Sequence, residues 1–482
     1  MAHKADLLAA LLRTSKESAF YNINRLEELQ SKDYPDATSH EFISALIKIN
    51  KGVLTRIEEL DKTPPSSDED FKDRLLEVQR YGQTLGSLHN LLQILELGKR
   101  EYIPQGMVDL IEQSVFVCGS SPKILLLPSY DYNYAYVEVT EPLRNSLKDV
   151  LPNIEDILNF AGKFAVFWFP LAHRDNTMLN VLLSHEIGHF LSQEKKIVAK
   201  ILSRLNIDKR KIEEIAKEWL HMKLTTEKKE IQIVDYFGLE TVKTQFFRDV
   251  VSRVSEQLEE LVSDSIAFHL FGPAFMIAIG NYLATLADMN LEPKGYPSSR
   301  TRMRFLIEGF EEAKYLGIVK AFRDDKETIQ CSAAKTFVGI MDSWKDFIEK
   351  EKLPASDKVS ELVREVIENG KSILREEVHS VVGAHEFTAK RFGEESFRLI
   401  DTIDSFVPPA EIEFEHPADP IAILNAGMLY ELTLMESMHE KLKDKELEKR
   451  LLTIHKLHKL IVKAIEASQT QLKMKNKKSA QR

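Results

Sequence analysis

The residues best suited to chemistry lie in one apolar stretch, VLLSHEIGHFL, at residues 181–191. It contains a His-Glu-x-x-His motif formed by His185, Glu186 and His189. On a helix, residues four apart lie on the same face, so both imidazoles can bind one Zn²⁺ while Glu186 lies beside the open coordination position. The motif therefore predicts a hydrolytic zinc site with Glu186 as its general base. The alternative is a structural helix whose two histidines bind no metal.

The sequence before the motif predicts the elements that hold it in place. Residues 164–169, FAVFWF, are typical of a buried strand, and residues 174–177 supply N-cap candidates for a following helix. A strand followed by such a helix resembles the core of the zincin metallopeptidases. The resemblance implies a protein or peptide substrate, cleaved by Glu186-assisted attack of zinc-bound water. It also implies an edge strand beside the metal, for which residues 164–169 and the strands predicted between 115 and 139 are candidates.

The two histidines need a partner, because a catalytic zinc site uses three protein ligands and leaves the fourth position to water. The longer metzincin motif would require Gly at 192 and His at 195, where this chain has Ser192 and Lys195. The chain instead resembles the gluzincin type of metallopeptidase, which includes the thermolysin-like and HtpX-like enzymes. In that type a second helix supplies a ligand glutamate and, four residues later, an aspartate that orients a zinc histidine. The sequence ELVSD at 260–264 matches this arrangement.

The second helix is predicted at 246–268 by apolar residues at three- and four-residue spacing. The resemblance implies that Glu260 is the third zinc ligand and that Asp264 accepts a hydrogen bond from one of the histidines. Such a carboxylate partner is usual for a metal-binding histidine, since it fixes the tautomer and makes the ligand more basic. Glu256 and Glu259, on the same predicted helix, are alternatives for the ligand.

A further resemblance to HtpX-type gluzincins follows this helix. Those enzymes have a His-Pro pair and then an arginine that opens a helix, whereas this chain has Tyr296-Pro297 followed by arginines at 300, 302 and 304. The arginine assignment therefore stays open. HtpX-type enzymes are also anchored in membranes by flanking spans that this chain lacks, so their substrate cannot be transferred to it.

Two residues are candidates to stabilise the oxyanion that forms when a carbonyl is attacked. Tyr296 can donate a hydrogen bond to it, as Tyr or His does in related enzymes. His416 lies in a long proline-rich segment, 406–420, and loops of this length are often functional. The structural alternatives are a turn aromatic for Tyr296 and a packed loop histidine for His416.

Composition favours a folded, cytoplasmic protein. The chain has 482 residues, of which 43% are hydrophobic, and a net charge of -10, which gives no reason to expect nucleic acid as a partner. Its two cysteines, Cys118 and Cys331, fit a reducing compartment. The uncharged segment 265–287 is long enough to span a bilayer, but its Gly272-Pro273 break favours buried core helices, with membrane association as the alternative.

We therefore expect a mostly α protein with a small β-sheet, that is, a zincin-like catalytic core flanked by helical domains. The predicted parts are a helical domain at 1–112, the core at 113–345 with a helical insertion at about 193–230, and a helical domain at 346–482. A basic disordered tail is expected from about 471 to 482. Two other functions remain open: a metal hydrolase that acts on another bond, and a helical interaction or scaffold protein whose zinc site is structural or inactive.

Overall fold

Helices make up most of the chain. The computed structural model describes residues 2–99, 103, 105–174, 176–227, 234–286, 296–323, 328–350, 357–413 and 416–480. It is 79% helical and contains one sheet of three strands and another of two. The prediction of a mostly α protein with a small β-sheet is therefore confirmed. None of the described helices is long and apolar enough to cross a lipid bilayer.

The elements follow one another along the chain with short connections. The α-helices are α1 (Ala2–Gln30), α2 (Ala37–Asp61), α3 (Asp68–Leu97), α4 (Gln105–Val117), α5 (Thr140–Leu147), α6 (Ile154–Ala161), α7 (Leu183–Lys195), α8 (Ile197–Arg204), α9 (Lys209–Glu227), α10 (Val234–Phe271), α11 (Pro273–Leu286), α12 (Ser299–Glu312), α13 (Tyr315–Arg323), α14 (Ile329–Lys350), α15 (Lys358–Val382), α16 (Ala389–Arg391), α17 (Phe397–Asp404), α18 (Pro420–Leu442) and α19 (Leu447–Ala480). The strands are β1 (Lys123–Ser129), β2 (Ala135–Glu138), β3 (Phe164–Pro170), β4 (Glu411–Glu413) and β5 (His416–Pro417).

The chain forms two compact units. The first comprises residues 1–116 and 120–176, and the second comprises residues 117–119 and 177–482. The domain boundaries predicted from the sequence, at 112 and 345, differ from this division and stay a prediction about separately folding domains.

In the first unit, a three-stranded sheet packs against the N-terminal helices. Its strand order is β1-β3-β2, with β1 parallel and β2 antiparallel to β3. Alternate residues of β1 and β3, such as Leu125 and Val166, join a core built with residues of α1, α2 and α3. The run at 164–169 is therefore the central strand, and its prediction as a candidate edge strand is wrong. Its nearly continuous apolar sequence is typical of a strand that is buried on both faces.

Of the strands predicted between 115 and 139, the run at 123–127 forms β1, the run at 115–118 is wrong, and the tyrosine-rich run at 130–139 is a strand only in part. Residues 115–117 are the end of α4, and the tyrosine-rich segment contributes only the short strand β2. Tyr130 and Tyr132 precede this strand and are exposed, whereas Tyr134 is buried and its hydroxyl lies 2.9 Å from His173 Nδ1. Tyr130 and Tyr132 thus lie in a bend at 130–132, Tyr136 lies in β2, and Tyr134 lies between the bend and the strand.

In the second unit, α7 packs along α10, and α10 also contacts α12 and α15. Helix α10 ends at Phe271, where Gly272 takes a positive φ of 65°, and Pro273 opens α11. The described residues of the segment 265–287 thus form two helices that are mostly buried in the core, as predicted, while residue 287 lies outside the described residues. The described residues of the range predicted as a helical insertion, 193–227, contain the end of α7, α8 and α9, and their status as an insertion stays a prediction; residues 228–230 lie outside the described residues.

The predicted disordered tail is helical as far as Ala480, so that prediction is wrong for residues 471–480. Helix α19 is held near its end by hydrogen bonds from Ser468 Oγ to the carbonyl of Ala418 and from Gln471 Nε2 to Glu411 Oε1. Lysine has a good helix propensity, so a helix anchored at 468 and 471 continues through the basic residues that follow.

Candidate metal centre

The helix that carries the motif begins later than its sequence suggests. Helix α7 starts at Leu183 after a 3₁₀ turn at Leu179–Leu182, and its N-cap residue, Leu182, makes no side-chain cap hydrogen bond. The prediction of an N-cap at 174–177 is therefore wrong for the described residues of that range. Thr177, the nearest of them, is buried and its hydroxyl donates instead to the carbonyl of His458, 3.4 Å away.

A glycine inside the motif sets the distance between the two helices of the site. A Cβ on Gly188 would lie only 2.5 Å from both Cα and the carbonyl oxygen of Ser263 on α10. No real side chain occupies such a position, so only glycine allows α7 and α10 to approach this closely. Sequence reasoning missed this role, although an isolated glycine inside an apolar helix is a signal for close packing.

Three side chains converge across this contact: His185 and His189 from α7, and Glu260 from α10. The two Nε2 atoms lie 3.0 Å apart, His185 Nε2 lies 3.4 Å from Glu260 Oε2, and His189 Nε2 lies 3.5 Å from Glu260 Oε1. The ligands of a tetrahedral zinc ion, at their usual bond lengths, are about 3.3–3.5 Å from one another. The predicted ligand set is therefore brought together with donor types that zinc binds, as a group that could hold a metal ion, although the two Nε2 atoms are closer than in a bound zinc site.

Asp264 supports the first histidine from behind. Its Oδ1 lies 2.9 Å from His185 Nδ1, and its side chain is completely buried. When the ring proton is on Nδ1, that N–H donates to Asp264 and the lone pair of Nε2 faces the metal position. Asp264 thus contacts the ring of His185, and its role beside a bound zinc ion stays a prediction.

Arg302 on α12 completes this side of the centre. Its guanidinium donates to both oxygens of Asp264, through Nε at 2.7 Å and Nη2 at 2.6 Å, and Nη1 lies 3.2 Å from Glu260 Oε2. Among the contacts described by the structure, Arg302 is therefore the one of the three arginines left open by the sequence that bonds to the centre. Arg300 is buried elsewhere and donates to the carbonyl of Phe347 at the end of α14.

The charges of the centre are strongly coupled. Burial disfavours a charge on His185, but hydrogen bonds to Asp264 and Glu260 outweigh burial and raise the pKa of His185 to about 10. Burial likewise opposes the charge on Glu260, but its hydrogen bond to His185 and the positive charges nearby lower its pKa to about 2. The carboxylates thus favour a positive charge at His185. A proton and a metal ion compete to supply that charge.

Burial and attraction also oppose each other in the ion pair of Arg302 and Asp264. Burial opposes both charges, but the attraction between Arg302 and Asp264 keeps the pKa of Asp264 well below its usual range and raises the pKa of Arg302. Glu186, the predicted general base, is buried next to His185 and its charge contributes to the raised pKa of Arg302. The charge of Arg302 therefore acts on all three neighbouring carboxylates.

The two alternative ligand glutamates have other contacts. Glu259 Oε1 lies 3.4 Å from His189 Nδ1, on the side of the ring opposite Nε2, and Glu259 Oε2 accepts a hydrogen bond from Ser192 Oγ at 3.0 Å. Glu256 is exposed and accepts a hydrogen bond from Ser252. Of the three glutamates considered, Glu260 is the one whose carboxylate faces both Nε2 atoms.

The two candidates for oxyanion stabilisation lie in different settings. Tyr296 precedes α12 and its side chain is 52% exposed. His416 is exposed in β5, which pairs antiparallel with β4 in a segment that the sequence predicts to be a loop. Residues 414 and 415 of that segment lie outside the described residues. A contact of either candidate with a substrate stays a prediction.

Comparisons of the chain with known protein families, with curated protein sequences and with solved structures gave no significant match. The function must therefore be inferred from the residues and geometry of the centre.

Proposed function

We propose that the chain is a zinc-dependent hydrolase that cleaves peptide bonds. The observation that carries this proposal is the convergence of His185 Nε2, His189 Nε2 and the Glu260 carboxylate, with Glu186 adjacent in the same helix. Structural zinc sites have four protein ligands, whereas catalytic sites have three and an open position. Three ligand residues are found among the described parts of the chain, which favours catalysis over a purely structural role.

In this proposal the protein supplies the ligands and their orientation. His185, His189 and Glu260 hold the ion, and Asp264 fixes the ring of His185. Zinc, when bound, supplies Lewis acidity that makes water a better nucleophile and polarises a carbonyl oxygen. The charge of Arg302 is directed at Asp264 and Glu260, so it holds two carboxylates in place.

Glu186 moves the protons of the reaction. Its carboxylate takes one proton from the attacking water as the new C–O bond forms at the scissile carbonyl carbon. It then delivers that proton to the departing nitrogen as the C–N bond breaks, which leaves a carboxylic acid and a free amine. Either Tyr296 or His416 donates a hydrogen bond to the oxyanion formed between the two steps.

The experiment that tests this proposal compares Glu186→Gln with Glu194→Gln. Both glutamates lie on α7, but Glu194 is exposed. A peptide library is incubated with each purified protein, with and without a chelator, and read by mass spectrometry. We expect cleavage by the wild type and by Glu194→Gln, loss of cleavage with the chelator, and a loss of at least about 100-fold in Glu186→Gln. Cleavage that is unchanged in Glu186→Gln would refute the proposal.

A further inference from the structure

The second histidine of the centre has a support of its own. We propose that Glu259 is a positioning residue for His189 and that Ser192 holds Glu259 in place. This inference rests on the zinc centre of the proposed function and deepens it, because it assigns the residues that set the orientation and affinity of the second imidazole ligand.

The first argument is the division of roles between two consecutive glutamates. Glu260 faces the Nε2 edge of His189, where its Oε1 is 3.5 Å away, and Glu259 faces the Nδ1 edge, where its Oε1 is 3.4 Å away. The ring thus lies between the two carboxylates. Only the Nε2 edge points to the metal position shared with His185, so Glu259 acts through His189 and does not reach the metal position itself.

The second argument is that a side chain of α7 donates a hydrogen bond to the carboxylate of Glu259. Ser192 lies one turn after His189, is buried, and donates from Oγ to Glu259 Oε2 at 3.0 Å. One helix therefore supplies both the ring and the hydroxyl that contact the two oxygens of Glu259. When the ring proton of His189 is on Nδ1, that N–H donates to Glu259. The lone pair of Nε2 is then free to bind a metal, and the hydrogen bond restricts rotation of the ring.

A third observation provides a matched control on the same helix. Glu256, one turn before Glu260, also accepts a hydrogen bond from a serine, Ser252 Oγ at 2.9 Å. This pair is exposed and lies within α10, whereas the Ser192–Glu259 pair joins α7 to α10. A substitution of Glu256 therefore removes the same charge from the same helix without removing a contact to a histidine.

The test measures zinc affinity by competition with a chromophoric chelator. We expect Glu259→Ala to bind zinc about 10–100 times more weakly than the wild type, since loss of such a histidine partner has effects of this size. Glu259→Gln restores part of the affinity, because its amide oxygen still accepts the N–H of His189. Ser192→Ala weakens binding by about 2–10-fold, as expected for one hydrogen bond, and Glu256→Ala leaves it unchanged.

A spectroscopic measurement separates positioning from a general loss of structure. Cobalt(II) replaces zinc in each variant, and the visible absorption bands report the ligand field at the ion. We expect Glu259→Ala to shift these bands and Glu256→Ala to leave them at the wild-type position. Unchanged bands together with wild-type zinc affinity in Glu259→Ala would overturn the inference.

Two further outcomes would also contradict the inference that Glu259 positions His189. Complete loss of metal in Glu259→Ala, equal to the loss in Glu260→Ala, would show that Glu259 is itself a ligand. An equal loss of affinity in Glu256→Ala would show an effect of total charge alone. Failure of the proposed function is recognised separately, because then the wild-type chain itself binds no stoichiometric zinc.

Discussion

The two histidines of the centre are held by different means. Behind His185 lies Asp264, which is completely buried and whose two oxygens are both bonded by Arg302 from a third helix. Behind His189 lies Glu259, whose side chain is 25% exposed. A buried ion pair is costly to disrupt, whereas a partly exposed carboxylate contributes little to folding. We therefore expect the contacts behind His185 to affect the stability of the fold, and those behind His189 to affect mainly the binding of the proposed zinc ion.

The strongest test of this difference is Asp264→Ala. The substitution leaves the buried guanidinium of Arg302 without its main partner, so we expect the free energy of unfolding to fall by about 3–5 kcal/mol. Chemical denaturation of the metal-free protein measures it. The double variant Asp264→Ala/Arg302→Met removes both charges and should recover part of the loss. A loss under about 1 kcal/mol in Asp264→Ala, typical of exposed pairs, would contradict the comparison.

Removal of the proposed zinc ion should have the next largest effect. A ligand at 100 times its dissociation constant stabilises the folded state by about 2.7 kcal/mol, so a chelator should lower the melting temperature. We expect the far-ultraviolet circular dichroism below that temperature to stay unchanged, because the pair of Arg302 and Asp264 joins α10 and α12 without zinc. Unfolding of the whole chain by the chelator would instead indicate a structural zinc site.

Gly188→Ala tests the close contact between α7 and α10, the two helices that carry the ligands of the centre. Because the new methyl group would lie 2.5 Å from the backbone of Ser263, the two helices must move apart. We expect a loss of about 1–3 kcal/mol in unfolding free energy, together with weaker zinc binding. The control is Gly339→Ala in α14, where a Cβ meets no atom within 4 Å. That substitution should stabilise the protein by about 0.5–1 kcal/mol, and equal effects of the two would refute the role of Gly188.

The smallest effect is expected at the other end of the comparison. Glu259→Ala should change the unfolding free energy of the metal-free protein by less than about 1 kcal/mol, because its carboxylate is partly exposed. Denaturation of this variant beside Asp264→Ala measures the difference between the two ends directly. Equal losses of unfolding free energy in the two variants would show that the contacts behind His185 and His189 do not differ in their effect on stability.

Much of the centre follows from local sequence. The spacing of His185 and His189 requires only that residues 183–195 be helical, and the interval between Glu260 and Asp264 requires only a second helix. Both conditions are local, and the structure meets them. The helical class of the chain follows in the same way from apolar spacing repeated over many long segments.

Other features depend on tertiary contacts that no local pattern specifies. The sequence offers three arginines between 300 and 304, and only the packing of α12 against α10 selects Arg302. The run at 164–169 reads as a strand, but its central position depends on pairing with residues 123–129 and 135–138. The different contacts of Glu256, Glu259 and Glu260 likewise depend on which face of α10 packs against α7.

The central claim is that His185, His189 and Glu260 bind one zinc ion, and the zinc content of wild-type and Glu260→Ala proteins tests it most directly. Each protein is equilibrated with zinc, passed over a gel-filtration column and analysed for metal. The account predicts about one zinc per wild-type chain and loss of most of it in Glu260→Ala. A wild-type chain without stoichiometric zinc, or equal zinc in the two proteins, would contradict it.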